Sequence, residues 1–158
     1  MKPIITVSQA IKLAASLNKL GKKIVLIGGC FDIVHLGHLI FLEKSKSIGD
    51  VLFVLLESDQ TIKKLKGNNR PINSQINRAK FLTYLKSVDF VVLLSEMKTD
   101  QDYLNLITQI KPSIIAVTQN DPKIKLKTIE AKSIQAKLSI VTNIVPQKST
   151  SLIIKSLN

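Results

Sequence analysis

Two rhythms of apolar residues alternate along the chain. Ile24-Val-Leu-Ile27, Val51 to Glu57, Phe90 to Leu94, Ile114 to Val117 and Ser139 to Val145 are short runs that predict five buried strands. Between them apolar positions recur at helical spacing. Thr6 and Gln9 have the spacing of a capping box, Ile11, Ala14, Ala15 and Leu17 follow, and Gly21 stands where a C-cap glycine belongs. This predicts a helix over residues 7–20 ahead of the first run. Leu39, Phe41, Leu42 and Ile48 predict a helix ending at Gly49, and Ile76, Ala79, Leu82, Leu85 and Val88 predict another. Residues 101–110, a lysine-rich stretch over 123–137 and a short segment opening at Ser149 complete the helices. Ser58 to Ser74 contains Lys63-Lys-Leu-Lys-Gly-Asn-Asn-Arg-Pro71, has no core stripe, and predicts a mobile basic loop. The alternation predicts an α/β fold, a parallel five-stranded sheet with helices on both faces. One domain is expected over residues 1–158, with the leading helix of residues 1–22 packed on the core.

The stretch Ile24-Val-Leu-Ile-Gly-Gly-Cys-Phe-Asp-Ile-Val-His-Leu-Gly-His38 carries the chemistry. Gly28 and Gly29 end the strand and allow a turn or a close approach of ligand to backbone. A strand, a glycine turn and a fresh helix N-terminus direct unpaired N–H groups and the helix dipole at one spot, which suits phosphate. His35 and His38 share a face of the first turn, and Gly37 between them leaves room for a ligand. Taken alone, the two histidines also fit a surface position or a metal site with Asp32. A zinc site wants three or four ligands, and the only cysteine, Cys30, sits in the turn with no third histidine in the chain. A metal centre is therefore not expected, and Cys30 reads as a small turn residue. No serine or cysteine has the base and orienting group that nucleophilic catalysis requires.

Composition narrows the setting. With 23 Lys+Arg against 11 Asp+Glu the chain carries a net +12, a field that attracts anionic ligands. Apolar content of 45% predicts a globular fold, and the longest apolar run is too short to cross a bilayer. One cysteine excludes an intrachain disulfide, and Met1-Lys2-Pro3 leads into no signal-peptide core, so a cytoplasmic protein is expected. Aromatics make up 4%, which leaves few stacking platforms for nucleic acid, and no nucleic-acid partner is expected.

Gly29-Cys-Phe-Asp-Ile-Val-His-Leu-Gly-His38 resembles the signature of the cytidylyltransferase-like nucleotidyltransferases, and the likeness continues along nearly the whole chain. Phe41 to Asp50, Ser58-Asp59, Ile62 to Gly67, Arg70-Pro-Ile-Asn73, Arg78, Val88-Asp89 and Ser149-Thr-Ser151 fall in family order. Within the family, the leading helix and the Leu-Lys-Gly…Arg-Pro-x-Asn loop look most like heptose-phosphate adenylyltransferases, the second domain of the bifunctional heptose enzymes. Glycerol-3-phosphate cytidylyltransferases and FMN adenylyltransferases are close alternatives.

The resemblance implies a Rossmann-like, doubly wound fold and in-line attack of an acceptor phosphate oxygen on the α-phosphorus of ATP or CTP. Pyrophosphate leaves with Mg²⁺, and a homodimer is expected. It implies catalytic roles for His35, His38 and Lys46, the last as a phosphate ligand. Gly29, Cys30, Phe31, Gly37, Ser149, Thr150 and Ser151 are implied at the nucleotide. Asp32, Ser58, Asp59, Lys66, Arg70 and Arg78 are implied at the substrate or the phosphate loop. Asp32 has two readings, a hydrogen-bonding brace for the turn or a substrate ligand.

The chain departs from the family at four places. Thr118-Gln-Asn-Asp-Pro122 replaces a glycine-rich, Asp-containing segment, Ile76 stands where a carboxylate usually precedes the helix arginine, and Gly28 replaces the asparagine expected in the heptose group. Val145-Pro-Gln-Lys148 lacks the arginine that precedes the Ser-Thr motif of cytidylyltransferases, which favours ATP. The altered 118–122 segment also keeps a rival in view, a non-catalytic nucleotide- or nucleic-acid-binding module.

Overall fold

The computed structural model describes residues 2–142. In chain order they form β1 (Ile4–Thr6), α1 (Val7–Lys19), β2 (Ile24–Gly29), α2 (Leu36–Ser47), β3 (Val51–Leu56) and α3 (Asp59–Lys66). There follow α4 (Gln75–Thr83), β4 (Phe90–Leu93), α5 (Asp100–Ile110), β5 (Ile114–Thr118), α6 (Ile124–Ser133) and β6 (Lys137–Thr142). All strand pairs are parallel, in the order β1-β4-β3-β2-β5-β6. The architecture is the expected Rossmann-like α/β sheet, with a sixth strand at one edge. That strand, β1, has only three residues, too few to show a period, and it pairs Ile4 with Val91 ahead of the Thr6 cap. The cap itself is as the spacing predicts: the Gln9 amide donates to Thr6 Oγ1, and the Thr6 amide donates to Gln9 Oε1.

Alternate residues of the central strands face opposite layers. Leu26, Phe53 and Leu55 pack under α1, α5 and α6, whereas Val25, Leu52 and Val54 pack under α2 and α4. From β2 the chain moves through α2 to β3 and β4 on one side, while β5 and β6 occupy the other. The carboxyl ends of β2 and β5 thus flank the point where the winding reverses, the usual place for a ligand in such sheets.

Two segments depart from the periodicity. Residues 59–66, expected in a mobile loop, form α3, which Ser58 caps by accepting from the Thr61 amide at 3.1 Å. This helix buries only Thr61 and Ile62, too little for a visible stripe. The 123–137 helix stops at Ile134 because Gln135 takes a left-handed φ of 58°, a stop made without glycine, and β6 starts two residues later. No helix among the described residues is long and apolar enough to cross a membrane.

Candidate active site

Buried strand β2 ends on Gly28 and Gly29, and the chain turns through Cys30, Phe31 and Asp32 before α2 begins. Phe31 holds a left-handed φ of 46° and buries its ring. A Cβ on Gly29 would lie 2.7 Å from Cε2 of that ring, so this glycine is required by Phe31 itself. Gly28 is exposed, and the nearest atom to a Cβ there would be 4.0 Å away, so it leaves the strand end open.

Asp32 fixes the far side of the turn. Its side chain is fully buried and accepts from Arg70 Nε at 2.6 Å and from the amides of Ile72 and Asn73. Burial alone would raise its proton affinity, but these donors outweigh it and hold the carboxyl below its usual range. Asp32 thus ties the turn after β2 to the loop before α4. Arg70 is buried with it, and its Nη2 has no hydrogen-bond partner within the described chain.

His35 caps α2 in extended conformation, and its amide donates to Nδ1 of His38 at 3.4 Å. With Nδ1 accepting, a neutral His38 carries its proton on Nε2 and has an N–H to give to a ligand. The two rings stack with centroids 3.8 Å apart, and the Phe31 ring lies 5.1 Å from His38. By helix geometry the Leu36 and Gly37 amides have no carbonyl inside α2 and add donors at the same end. Burial first, then the charges of His35 and Lys66, push the His38 imidazole down to about 4. Lys66, at the end of α3, is thereby placed within electrostatic reach of His38 and of Cys30. Burial pushes the Cys30 thiol up, so it is no nucleophile near neutral pH.

The depressed His38 affinity has a consequence for stability. Between about pH 4 and 6.5 the folded protein binds fewer protons than the unfolded chain, so stability rises with pH across that window. Acidification through it costs about 3 kcal/mol through this ring. Urea midpoints at pH 7 and pH 4.5 are expected to converge in His38→Gln relative to the parent.

Arg78 on α4 is the largest fully buried side chain among the described residues. It donates from Nε to the Asn73 carbonyl at 3.0 Å and from Nη1 to the Cys30 carbonyl at 2.6 Å. Nη2 reaches the Glu57 carbonyl at 2.8 Å and Asp59 Oδ1 at 2.7 Å. The carboxylate missing at Ile76 is thus supplied by Asp59 from α3. Arg78 and Asp59 clamp the loops around the site, and Ser58 caps the helix that presents Lys66.

Lys46 requires a correction. Helix α2 runs back along the sheet, and the eight residues from His38 to Lys46 span about 12 Å. Lys46 Nζ pairs with Asp89 at 2.6 Å and also bonds the Asp50 carbonyl, while Asp89 accepts from the Leu52 amide. These contacts lie where β3 and β4 begin, at the opposite end of the sheet from the histidines. Lys46 is a structural tie there, away from the histidine pair. Ser149, Thr150 and Ser151 lie outside the described residues.

Beside the turn opens a cavity of about 410 Å³ between the sheet, α5 and α6. Gly29 and Cys30 form its edge, and Leu55, Ile107 and Ile115 are among its apolar walls. Glu57, at the end of β3, faces it with both carboxylate oxygens 2.9 Å from the Tyr103 hydroxyl. Burial raises the proton affinity of Glu57, and burial together with Glu57 raises that of Tyr103. Neither residue is evident from local spacing, and Glu57 reads in the sequence only as the end of the second strand. In the altered 118–122 segment, Asp121 accepts from the Lys123 amide at 2.8 Å and from Lys127 Nζ at 2.6 Å, which fixes the start of α6.

No three His, Cys, Asp or Glu side chains come together as a cation site among the described residues. Asp32 is saturated by its own donors.

The family model described as cytidylyltransferase-like matches residues 26–156. The bifunctional protein HldE of Aliarcobacter butzleri is 51% identical over 104 residues, covering 66% of this chain and 21% of that protein. The bifunctional protein HldE of Nitratiruptor sp. is 42% identical over 143 residues, covering 90% of this chain and 29% of that protein. The chain therefore spans less than a third of the length of these curated relatives. Among solved structures, a lipopolysaccharide core biosynthesis protein from Thermoplasma volcanium superposes with a TM-score of 0.63 at 28% identity, covering 78% of this chain and 97% of that one. Pantoate-beta-alanine ligase from Francisella tularensis superposes with a TM-score of 0.67 at 19% identity, covering 100% of this chain and 74% of that one, which speaks for the fold alone. The histidine pair at the head of α2, the turn that presents it and the match over residues 26–156 together place the chain in the cytidylyltransferase-like family of nucleotidyltransferases.

Proposed function

We propose that the chain transfers adenylate from ATP to a phosphorylated acceptor, a sugar 1-phosphate such as D-glycero-β-D-manno-heptose 1-phosphate. The observation that carries this reading is the convergence of His35, His38, Lys66 and the open N-terminus of α2 beside a cavity at the winding reversal. An acceptor phosphate oxygen attacks the α-phosphorus, the bond from that phosphorus to the bridging oxygen breaks, and pyrophosphate leaves. Such transfer needs placement and charge stabilisation more than covalent help. His38 Nε2–H, His35 and the amides of Leu36 and Gly37 donate to phosphate oxygens as charge builds on them. Lys66 adds positive charge, and the buried Arg70 offers the Nη2 that its own loop leaves unpaired. Mg²⁺ would arrive on the triphosphate.

The heptose assignment is supported by the Leu-Lys-Gly…Arg-Pro-x-Asn loop and by the HldE relatives. The missing arginine before Ser149 supports ATP over CTP. A cytoplasmic homodimer fits the resemblance and the single cysteine. Pyrophosphate release with ATP and CTP separately, against heptose 1-phosphate, glycerol 3-phosphate and FMN, tests the assignment. Turnover is expected with ATP and heptose 1-phosphate. Turnover only with CTP and glycerol 3-phosphate would replace it.

A further inference from the structure

The cavity behind Gly29 and Cys30 carries chemistry that attack by a bare phosphate does not use. At about 410 Å³ it is in the range of small-molecule sites. Its walls are largely apolar, and its polar groups are mostly acceptors: Glu57, Asp100, Asp121 and Glu130 all line it. The two lysines on its lining are already engaged, Lys123 with Asp100 at 2.6 Å and Lys127 with Asp121 at 2.6 Å. A phosphate placed inside would therefore face carboxylates without a free cation among the described lining residues. A neutral group with several hydroxyls fits far better.

Glu57 is built to receive such a group. Its main chain is pinned by Arg78 Nη2 at 2.8 Å, and its carboxylate is oriented by the Tyr103 hydroxyl at 2.9 Å from each oxygen. A carboxylate offers about four acceptor sites, and one phenol proton leaves most of them open. Two oxygens on one rigid group match two neighbouring hydroxyls of a sugar ring.

We propose that this cavity seats the sugar ring of the acceptor, and that Glu57, oriented by Tyr103, accepts hydrogen bonds from adjacent ring hydroxyls and so selects a polyhydroxylated acceptor. The proposal rests on the nucleotidyltransferase reading and adds the residue that reads the acceptor. The ribose of the nucleotide presents the same pair of hydroxyls, so the test separates the two sources. A site built around a hydroxyl rejects the analogue lacking it, because its buried acceptor is left unpaired.

The experiment measures KM and kcat for ATP and for heptose 1-phosphate, and for the monodeoxy analogues of that sugar phosphate. It uses the full chain, Glu57→Gln and Tyr103→Phe. The parent is expected to lose about a hundredfold in kcat/KM on at least one deoxy analogue. Glu57→Gln should raise the sugar-phosphate KM about tenfold, shrink the deoxy penalty to within about threefold, and leave the ATP KM within about twofold. Tyr103→Phe keeps the packing and should shift the same KM by less.

A rise in the ATP KM alone would assign Glu57 to the ribose and overturn the proposal. Unchanged constants and an unchanged deoxy penalty in both variants would overturn it while leaving adenylate transfer in place. No transfer by the parent from ATP to any sugar 1-phosphate would remove the functional reading, and this proposal with it.

Discussion

His38→Ala is expected to lower kcat for nucleotidyl transfer by about a thousandfold, with His35→Ala losing about a hundredfold. The figure follows from the geometry. The His35 amide holds Nδ1 of His38, the Phe31 ring and the stacked His35 ring fix its plane, and Nε2–H is left as the donor. A donor preset in this way costs no reorganisation when negative charge grows on the phosphates, so its loss falls on kcat more than on KM. His35 shares the face but also caps α2 through its backbone, a role that alanine keeps. Steady-state kcat from pyrophosphate release checks the values, and thermal midpoints near that of the parent show that the fold persists. A kcat within about threefold of the parent in His38→Ala would contradict the role given to this ring.

Arg78→Ala is expected to cost about 3–5 kcal/mol of stability, which for a domain of this size lowers the thermal midpoint by on the order of 10 °C. The guanidinium is fully buried and serves three carbonyls, those of Cys30, Glu57 and Asn73, together with Asp59. Its removal leaves buried acceptors without donors, each carrying a desolvation penalty of about 1–3 kcal/mol. Those carbonyls belong to the turn after β2, the end of β3 and the loop before α4, so activity falls with stability. Lysine restores only a minor part, because one ammonium cannot replace a planar fork aimed in several directions. Urea unfolding of the parent and both variants provides the measurement. A loss below about 1 kcal/mol in Arg78→Ala would show that the clamp has been overvalued.

What could be read from the sequence was what local spacing encodes. The runs 24–27, 51–57, 90–94 and 114–117 announce central strands, the Thr6–Gln9 box announces α1, and the histidines after the glycine turn mark the head of α2. Elements with little local signal stayed hidden: β1 has three residues, and α3 buries only two side chains. Lys46 was misplaced because family order says nothing about how far a helix carries a side chain from its start. The apparent gap at Ile76 closed through Asp59, which reaches Arg78 from 19 positions upstream. Glu57 and Tyr103 meet across 46 positions, a pairing that only the crossover of α5 creates. Gly29 had a visible role as a turn residue, but its steric cause, the Phe31 ring, needed coordinates.

The most direct test follows the label from ATP. The chain is incubated with heptose 1-phosphate and either [α-³²P]ATP or [γ-³²P]ATP, and the products are separated. Adenylate transfer predicts that the α label moves onto the sugar phosphate while the γ label appears only in pyrophosphate. The γ label on the sugar, or an α label that never leaves ATP, would contradict the account.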